Sequence, residues 1–357
     1  MTAVTMSARP EEDTSLRPVP WRRMAWVTWR QHRLALAGVA ALLGALALCL
    51  WIVGLPLHHA YAAATACHPA SSLACGDLVS RFNGMGKVLW FGYMLQAVPA
   101  LIGAFAGAPV LARELEIGTF RYAWTQGFGR LRWTLAKLVA LAVVVAAAAG
   151  AISVLISWYY QPYFAAGNQA LSLTEWSPLA AGVFDLHGIA LAAWTLAAFA
   201  TGALAGMLIR RVVPAIVATL AAYTALALAT GLFLRQHYLT PLITRNLFNP
   251  PASAWLVSQW WTKGGKFAFA GDRDAGGMPP PGNLFLLQRC PPPPAGAGKP
   301  SPGTLGQCLV QHGYTQLTSY QPASRFWPFQ WIESGWLLAL SLLLLGATLW
   351  LVRRRAA

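Results

Sequence analysis

Six long apolar runs constrain the fold of this chain more than any other feature. None contains Asp, Glu, Lys or Arg, and each is within or close to the roughly 17–25 residues that a helix needs to cross a bilayer. Across the 357 residues, 57% are apolar and only 10% are charged, which argues against a soluble globule. The sequence therefore predicts an all-α integral membrane protein with six transmembrane helices, at Leu34–Leu55, Val88–Leu111, Leu138–Trp158, Leu186–Ile209, Val212–Leu234 and Gly335–Val352.

The net charge of +15 is distributed in a way that predicts membrane orientation. If the N-terminus is cytoplasmic, most of the 26 Lys and Arg residues fall on inner segments, including Arg210-Arg211 and Arg353-Arg354-Arg355. An excess of Lys and Arg marks cytoplasmic loops. We expect cytoplasmic N- and C-termini, a multi-pass protein of a bacterial plasma membrane, contact with membrane lipid, and no nucleic-acid partner.

The runs divide the chain into four predicted parts. Residues 1–33 form a cytoplasmic N-terminal segment, and Trp21–Arg33 is predicted to lie as a helix in the membrane interface, or else to extend the first span. Residues 34–234 hold five spans and a cytoplasmic coupling segment at 112–137. A large extracellular loop covers 235–330, and 331–357 hold the sixth span and a basic C-terminus. Within the loop, Gly264–Gly306 is rich in Gly and Pro, which favours polyproline II and no packed core.

Four of the five cysteines fall in predicted outer loops, where an oxidising environment favours disulfides. Cys67 and Cys75 share the first loop, and Cys290 and Cys308 share the last. Of the three possible connectivities we predict the two local pairs, with four unpaired thiols as the alternative. Neither pair has the C-x₂₋₄-C spacing of a zinc site.

The sequence predicts no catalytic, cofactor or metal site. Lys299 follows a Gly-rich stretch, but Pro300 occupies the position where a phosphate loop requires Ser or Thr. The ionisable residues Asp185, His187 and Glu333 fall at outer ends of spans, where we expect water to reach them and Asp185 to cap the fourth helix. A bundle interior without charges suits amphipathic or apolar cargo better than an ion relay.

Small residues recur four apart in two spans, at Gly103 and Gly107 and at Gly202 and Gly206. This spacing allows helices to approach closely. It predicts packing inside the monomer, with a dimer seam as the alternative.

Residues 112–126 form the one stretch whose charge and turn chemistry is typical of a docking element. Arg113, Glu114 and Glu116 precede a Gly118-Thr119 break, and aromatic residues follow at helical spacing. Such a segment can transmit force from a soluble partner to two spans, and the alternative is a membrane-surface loop. Glu114 and Glu116 diverge by about 200° in a helix, so we expect one to face a partner and the other to brace the membrane subunit, on Arg121.

The pattern Arg113-Glu114-Leu115-Glu116-x-Gly118-Thr119, followed by Trp124-Thr125-Gln126 and Arg130-x-Arg132-Trp133-x-x-x-Lys137, resembles membrane subunits of type-2 ATP-binding-cassette (ABC) transporters, notably actinobacterial ones. The resemblance covers the whole membrane portion. It implies that the segment docks on a separate ABC ATPase, that two permease subunits form a homo- or heterodimer, and that ATP and Mg²⁺ bind to the partner chain. It further implies re-entrant helices near Leu239–Trp261, and ATPase coupling by Glu114, Glu116, Gly118, Thr119 and Arg121.

These features predict a transmembrane permease subunit of an ATP-driven transporter, without enzyme activity of its own, that exports an unidentified substrate. The alternative is a non-transport assembly or sensor protein that uses its extracellular loop as a binding surface.

Overall fold

The structure, a computed structural model, describes residues 21–68, 72–85, 94–118, 130–168, 177–180, 182–245, 253–271, 290 and 302–355. Within them, six helical segments are long and apolar enough to cross a membrane. They confirm the predicted six-helix membrane portion, and they lie at Leu43–Ala66, Ala97–Ile117, Leu131–Ala166, Ala190–Ile209, Val212–His237 and Ala323–Arg354.

The helices extend beyond the apolar runs. We number them α1 (Trp21–Ala66), α2 (Leu73–Gly84), α3 (Ala97–Ile117), α4 (Arg130–Asn168), α5 (Ala190–Ile209), α6 (Val212–Ala229), α7 (Pro302–Gln311) and α8 (Phe326–Arg355). Two π-helical turns interrupt the regular geometry, one inside α3 at Gly103–Gly107 and one after α6 at Thr230–Leu234. Trp21–Arg33, predicted to lie in the membrane interface or else to extend the first span, begins the continuous helix α1, which fits the second of these alternatives.

Helix α5 is the centre of the bundle and packs against α3, α4, α6 and α8. It is apolar around its whole circumference, as expected for a helix surrounded by others. Small residues set how closely α3 approaches it: a Cβ added at Gly202 would lie 2.3 Å from the Gly103 carbonyl oxygen, and one at Gly206 2.4 Å from that of Ala108. The small-residue pattern therefore packs helices inside the monomer.

The bundle has two chemically different ends. At the turn end, which we define by residues 112–118, 137 and 210–212, the chain passes from α5 to α6 through a short turn beside the end of α3. At the sheet end, defined by residues 183–190, 235–240 and 321–333, the helices meet a β-sheet.

The sheet has four antiparallel strands in the order β1-β4-β2-β3. They are β1 (Leu242–Thr244), β2 (Trp255–Lys263), β3 (Lys266–Gly271) and β4 (Tyr314–Gln321). This corrects two expectations: Leu239–Trp261 contributes strands where re-entrant helices were predicted, and the all-α prediction holds for the membrane portion only. The reason is pairing at long range, since β2 joins β4 from Trp255↔Gln321 to Lys263↔Tyr314.

Two devices hold the sheet together. Gly264 and Gly265 adopt φ values of 57° and 79° in the β2–β3 turn, a conformation that glycine reaches without steric strain. A small core of Trp261, Leu309, Tyr314 and Cys290 packs on one face. The remainder of the Gly/Pro-rich stretch, 272–289 and 291–301, lies outside the described residues.

Candidate functional site

At the turn end, Glu114 of α3 forms an ion pair with Lys137 of α4. Lys137 Nζ lies 2.5 Å from Glu114 Oε1, and the two side chains are 3% and 20% exposed. A buried ammonium group requires a partner, because an unpaired charge is strongly disfavoured away from water. The ion pair therefore fixes the end of α3 to the start of α4.

The second carboxylate, Glu116, binds the first residue of α6. Its Oε2 accepts a hydrogen bond from the Val212 backbone N–H at 3.0 Å. The first N–H groups of a helix lack partners within it and carry partial positive charge, which favours an acidic group there. Arg211, at the N-cap position, forms no capping side-chain hydrogen bond, so Glu116 supplies the cap from a neighbouring helix.

The two glutamates diverge as predicted, but both contact helices of this chain, whereas one of them was expected to face the partner ATPase. We predicted that one glutamate braces the subunit on Arg121. Within the described residues, Glu116 contacts the backbone N–H of Val212 in α6. Arg121 and Thr119 themselves lie outside the described residues. Their coupling roles stay predictions.

Gly118 ends α3 in the left-handed conformation, with φ +77°. No heavy atom lies within 4 Å of an added Cβ, so a side chain would meet open space but a strained backbone. The predicted turn is therefore present at Gly118, within the predicted coupling segment.

At the sheet end, a buried ion pair joins Arg235, at the end of the fifth span, to Glu333 of α8. Both residues are 0% exposed. Arg235 Nε donates to Glu333 Oε2 at 3.0 Å, and Nη2 donates to Oε1 at 2.8 Å. The Trp194 indole and the Tyr238 hydroxyl also donate to this carboxylate. The expectation that water reaches Glu333 was wrong, as was the expectation of an interior without charges.

Asp185 is the third member of this ion cluster, which we define as Asp185, Arg235 and Glu333. Arg235 Nη2 also donates to Asp185 Oδ1, and the Asp185 side chain keeps 23% of its surface exposed. Two carboxylates thus share one guanidinium, and Glu333 takes the bidentate contact. Burial raises the pKa of Asp185 to about 8, and the nearby Glu333 charge adds to the rise, although Arg235 acts in the opposite direction.

Asp185 was predicted to cap the fourth transmembrane helix, which is α5, but Gln330 of α8 has that role. Its Oε1 accepts hydrogen bonds from the backbone N–H groups of Ile189 and Ala190, at 3.0 and 2.8 Å. Its Nε2 donates to the carbonyl oxygens of Phe184 and His187. One buried amide therefore joins the start of α5 to α8.

His187 is also buried rather than hydrated. Its ring stacks between Phe164 and Phe326, and burial lowers its pKa to about 4. It is therefore neutral at physiological pH and belongs to an aromatic cluster.

A cleft of about 580 Å³ opens beside the ion cluster, between α3, α5 and the fifth span. Its wall is largely apolar, with Gln96, Tyr223 and Thr224 as polar exceptions. Asp185 is the one charged residue among the described residues that line it. The cleft therefore combines an apolar body with a carboxylate at one place.

Both predicted cysteine pairs form disulfides, Cys67–Cys75 and Cys290–Cys308. Cys290, Cys308 and His312 lie close enough together to suggest a metal site, but both sulfurs are bonded to each other. No thiolate is then present for a metal to bind.

Two residues of these sites were not singled out from the sequence: Arg235 and Gln330. Arg235 directly follows an apolar run, which is the usual position of an interfacial anchor, and only a carboxylate on another helix reveals its burial. Lys137 belongs to the motif that resembles type-2 transporters, but its ion pair with Glu114 was not predicted. For Gln330 the sequence holds no signal.

A comparison with protein families finds that residues 39–235 match the family described as ABC-2 membrane transporter related. The match covers the first five spans, the turn end and the part of the sheet end up to Arg235, and it ends before Gln330 and Glu333. Neither a curated protein nor a solved structure matches the chain.

Proposed function

We propose, from the premise that this chain belongs to the ABC-2 membrane transporter related family, that it is the permease subunit through which an ABC ATPase drives export of an amphipathic or apolar molecule. The family supports a multi-pass transport permease that works with an ABC ATPase subunit and is not itself the catalyst. The direction, the docking residues and pairing with a second permease subunit are parts of the proposal.

The observation that carries the proposal is the way the end of α3 is bound. Glu114 holds α4 through Lys137, and Glu116 holds α6 through the Val212 N–H. A push on the segment that follows Gly118 would therefore reach three spans together. Such a linkage is what a transporter needs in order to convert the movement of a soluble ATPase into rearrangement of its bundle.

The turn end also presents groups that a soluble partner can contact. Ile117 is 63% exposed at the last turn of α3, and Arg113, Arg210 and Arg211 are exposed at the same end of the bundle. An exposed apolar side chain together with cations suits a partner surface that combines an apolar groove with acidic groups. We assign this surface to the ATPase, which places the turn end in the cytoplasm.

Photo-crosslinking tests the docking surface directly. A photoreactive amino acid at Ile117 should crosslink to a protein that mass spectrometry identifies as an ABC ATPase with nucleotide-binding motifs. The same amino acid at Phe267 of β3, which is 69% exposed at the other end, should not. An ATPase crosslinked only from Phe267 would reverse the orientation and refute the proposal.

Coupling needs a variant that does not simply unpair a buried charge. Glu114→Lys leaves two cations together at Lys137, whereas Glu114→Lys with Lys137→Glu restores the ion pair. The assay uses proteoliposomes that contain the permease and the ATPase identified by crosslinking. We expect the single variant to lose permease-dependent ATP hydrolysis and the double variant to recover much of it. Lys266→Ala, exposed on the sheet, is the matched control. Full activity of the single variant would reduce the segment to a connecting loop.

The resemblance to type-2 transporters supports export as the direction. Inside-out vesicles that contain the complex should therefore accumulate substrate when ATP is added outside. Accumulation by right-side-out vesicles with ATP inside would instead establish import.

A further inference from the structure

The cleft beside the ion cluster has the size and position of a substrate site. Its volume of about 580 Å³ falls in the range of roughly 300–1,000 Å³ that is typical of small-molecule sites. Leu101, Leu228 and Leu232 border it and remain substantially exposed on the bundle surface. A molecule dissolved in the bilayer can therefore enter sideways between α3 and the fifth span.

The charge on its wall is negative. Glu333 takes two hydrogen bonds from Arg235 and two more from Trp194 and Tyr238, so the guanidinium charge is matched by Glu333. Asp185 has one contact with the same guanidinium and still lines the cleft. When all three members are ionised, the cluster has a net charge of −1, and Asp185 presents it to the cleft.

Aromatic rings complete the surroundings of this carboxylate. Trp194 and Tyr223 both line the cleft, with their rings in an edge-to-face contact at 5.5 Å. Both rings are largely buried, at 2% and 9% exposed, so they form a wall of low polarity, and a charge contact is stronger where water is excluded. A carboxylate next to such rings in an apolar cleft is chemically complementary to a positive charge on an apolar body.

We propose that this cleft binds a monocationic amphipathic molecule, an organic ammonium or phosphonium, with its charge at Asp185 and its apolar part along α3 and the fifth span. The inference rests on the proposed transport function and names the substrate class for it. Because the cleft lies at the sheet end, bound cation is held next to the surface where export would release it.

Binding should depend on pH through Asp185. The titratable groups that face Asp185 are Arg235 and Tyr223 from the fifth span and Glu333 from α8. His187 lies two residues further along the chain, and Tyr238 lies behind Glu333. Within the described residues, α3 and α5 present no titratable group to Asp185. Since the pKa of Asp185 is raised to about 8, the carboxyl is mostly protonated at neutral pH. A cation favours the ionised form, so apparent affinity should rise by up to about tenfold per pH unit below about pH 8.

The test measures saturable binding of radiolabelled tetraphenylphosphonium to the purified full chain in phosphatidylcholine nanodiscs, with empty nanodiscs subtracted. Tetraphenylborate has nearly the same size and shape but the opposite charge, and it should not bind saturably. Measured above about pH 8, where Asp185 is ionised, Asp185→Asn should weaken phosphonium binding roughly ten- to hundredfold, as expected for loss of a charge contact in a partly buried site, and it should abolish the pH dependence. Arg235 keeps its bidentate contact with Glu333 in that variant, so the fold is retained.

A second variant separates a filled cleft from a damaged bundle. An added Cβ at Gly231 or at Gly346 meets no heavy atom within 4 Å, but only Gly231 lines the cleft. Gly231→Phe should abolish phosphonium binding, and Gly346→Phe should leave it unchanged. Equal binding of both tetraphenyl ions, or unchanged affinity in Asp185→Asn and Gly231→Phe, would overturn the cation site. Because no ATPase is present, that outcome would leave the docking proposal at the turn end standing.

Discussion

Glu333→Met should destabilise this protein far more than Asp185→Asn, although both remove a carboxylate from the same guanidinium. Glu333 is 0% exposed and takes both the Nε and Nη2 hydrogen bonds of Arg235. Its loss leaves a fully buried guanidinium with Asp185 as its carboxylate partner among the described residues, beside the Phe184 ring. It also leaves the Trp194 and Tyr238 donors without this acceptor.

The structure sets the expected magnitudes. Removing one partner of a buried ion pair typically lowers the free energy of unfolding by about 3–5 kcal/mol, and we expect Glu333→Met to fall in this range. Asp185→Asn leaves the Arg235–Glu333 pair intact, and partly exposed ion pairs contribute about 0–1 kcal/mol. Asparagine also resembles the protonated carboxyl that Asp185 carries at neutral pH.

The measurement is unfolding in mixed micelles as the fraction of sodium dodecyl sulfate is raised, followed by tryptophan fluorescence. The double variant Arg235→Met with Glu333→Met removes both charges, and replacing a buried ion pair by apolar residues is often neutral. It should therefore be more stable than Glu333→Met alone. Equal destabilisation by Glu333→Met and Asp185→Asn would refute the assigned pairing. So would a double variant whose loss of stability equals the sum of the losses measured for Arg235→Met alone and Glu333→Met alone.

Three further predictions concern pH, packing and topology. The folded-state pKa of Asp185 is raised from 3.8 to about 8. Its contribution to stability is therefore complete below about pH 3.8, declines as pH rises between the two values and is lost above about pH 8. Unfolding midpoints at several pH values should show this decline for the native chain and not for Asp185→Asn. Gly202→Val places atoms against the Gly103 carbonyl oxygen and should lower folded yield and thermal stability in detergent, whereas Gly346→Val on the open face of α8 should not; equal loss from both would contradict the α3–α5 contact. In a cysteine-free background, a cysteine at position 125 should be shielded from an impermeant reagent in intact cells, and one at position 275 should react. Labelling of both would overturn the proposed cytoplasmic location of the coupling segment.

Local chemistry explains why much of the membrane portion was predictable. Runs such as Val212–Leu234 contain no charge, and water cannot satisfy the backbone inside a bilayer, so helices follow from the runs alone. The spacing of Gly103 and Gly107 likewise indicated close packing, and the short separation of Cys67 and Cys75 indicated a local disulfide. For the turn end, side chains two apart on a helix point away from each other, so Glu114 and Glu116 were correctly expected not to share one contact. The sequence did not reveal that both contacts lie within this chain, on Lys137 and on the Val212 backbone.

The sheet was missed although part of its signal was local. The β2–β3 hairpin has Gly264-Gly265 between two stretches rich in aromatic residues, which is a recognised hairpin pattern. The pairing of β2 with β4 has no such signal, because Trp255 and Gln321 are far apart in the sequence and become neighbours only when the chain folds. Composition over that interval, rich in Gly and Pro, predicted the opposite of a packed core.

What the sequence by itself determined is therefore whatever depends on neighbours along the chain: the six helices, the turn at Gly118, the small-residue faces and the local disulfides. Only the tertiary structure decided where charges lie. Arg235 directly follows an apolar run when the sequence is read along the chain, and Glu333 is a lone acid near the start of another span. Their burial becomes tolerable only because folding brings them within hydrogen-bond distance, since a charge is stabilised away from water by a partner and not by its own sequence context.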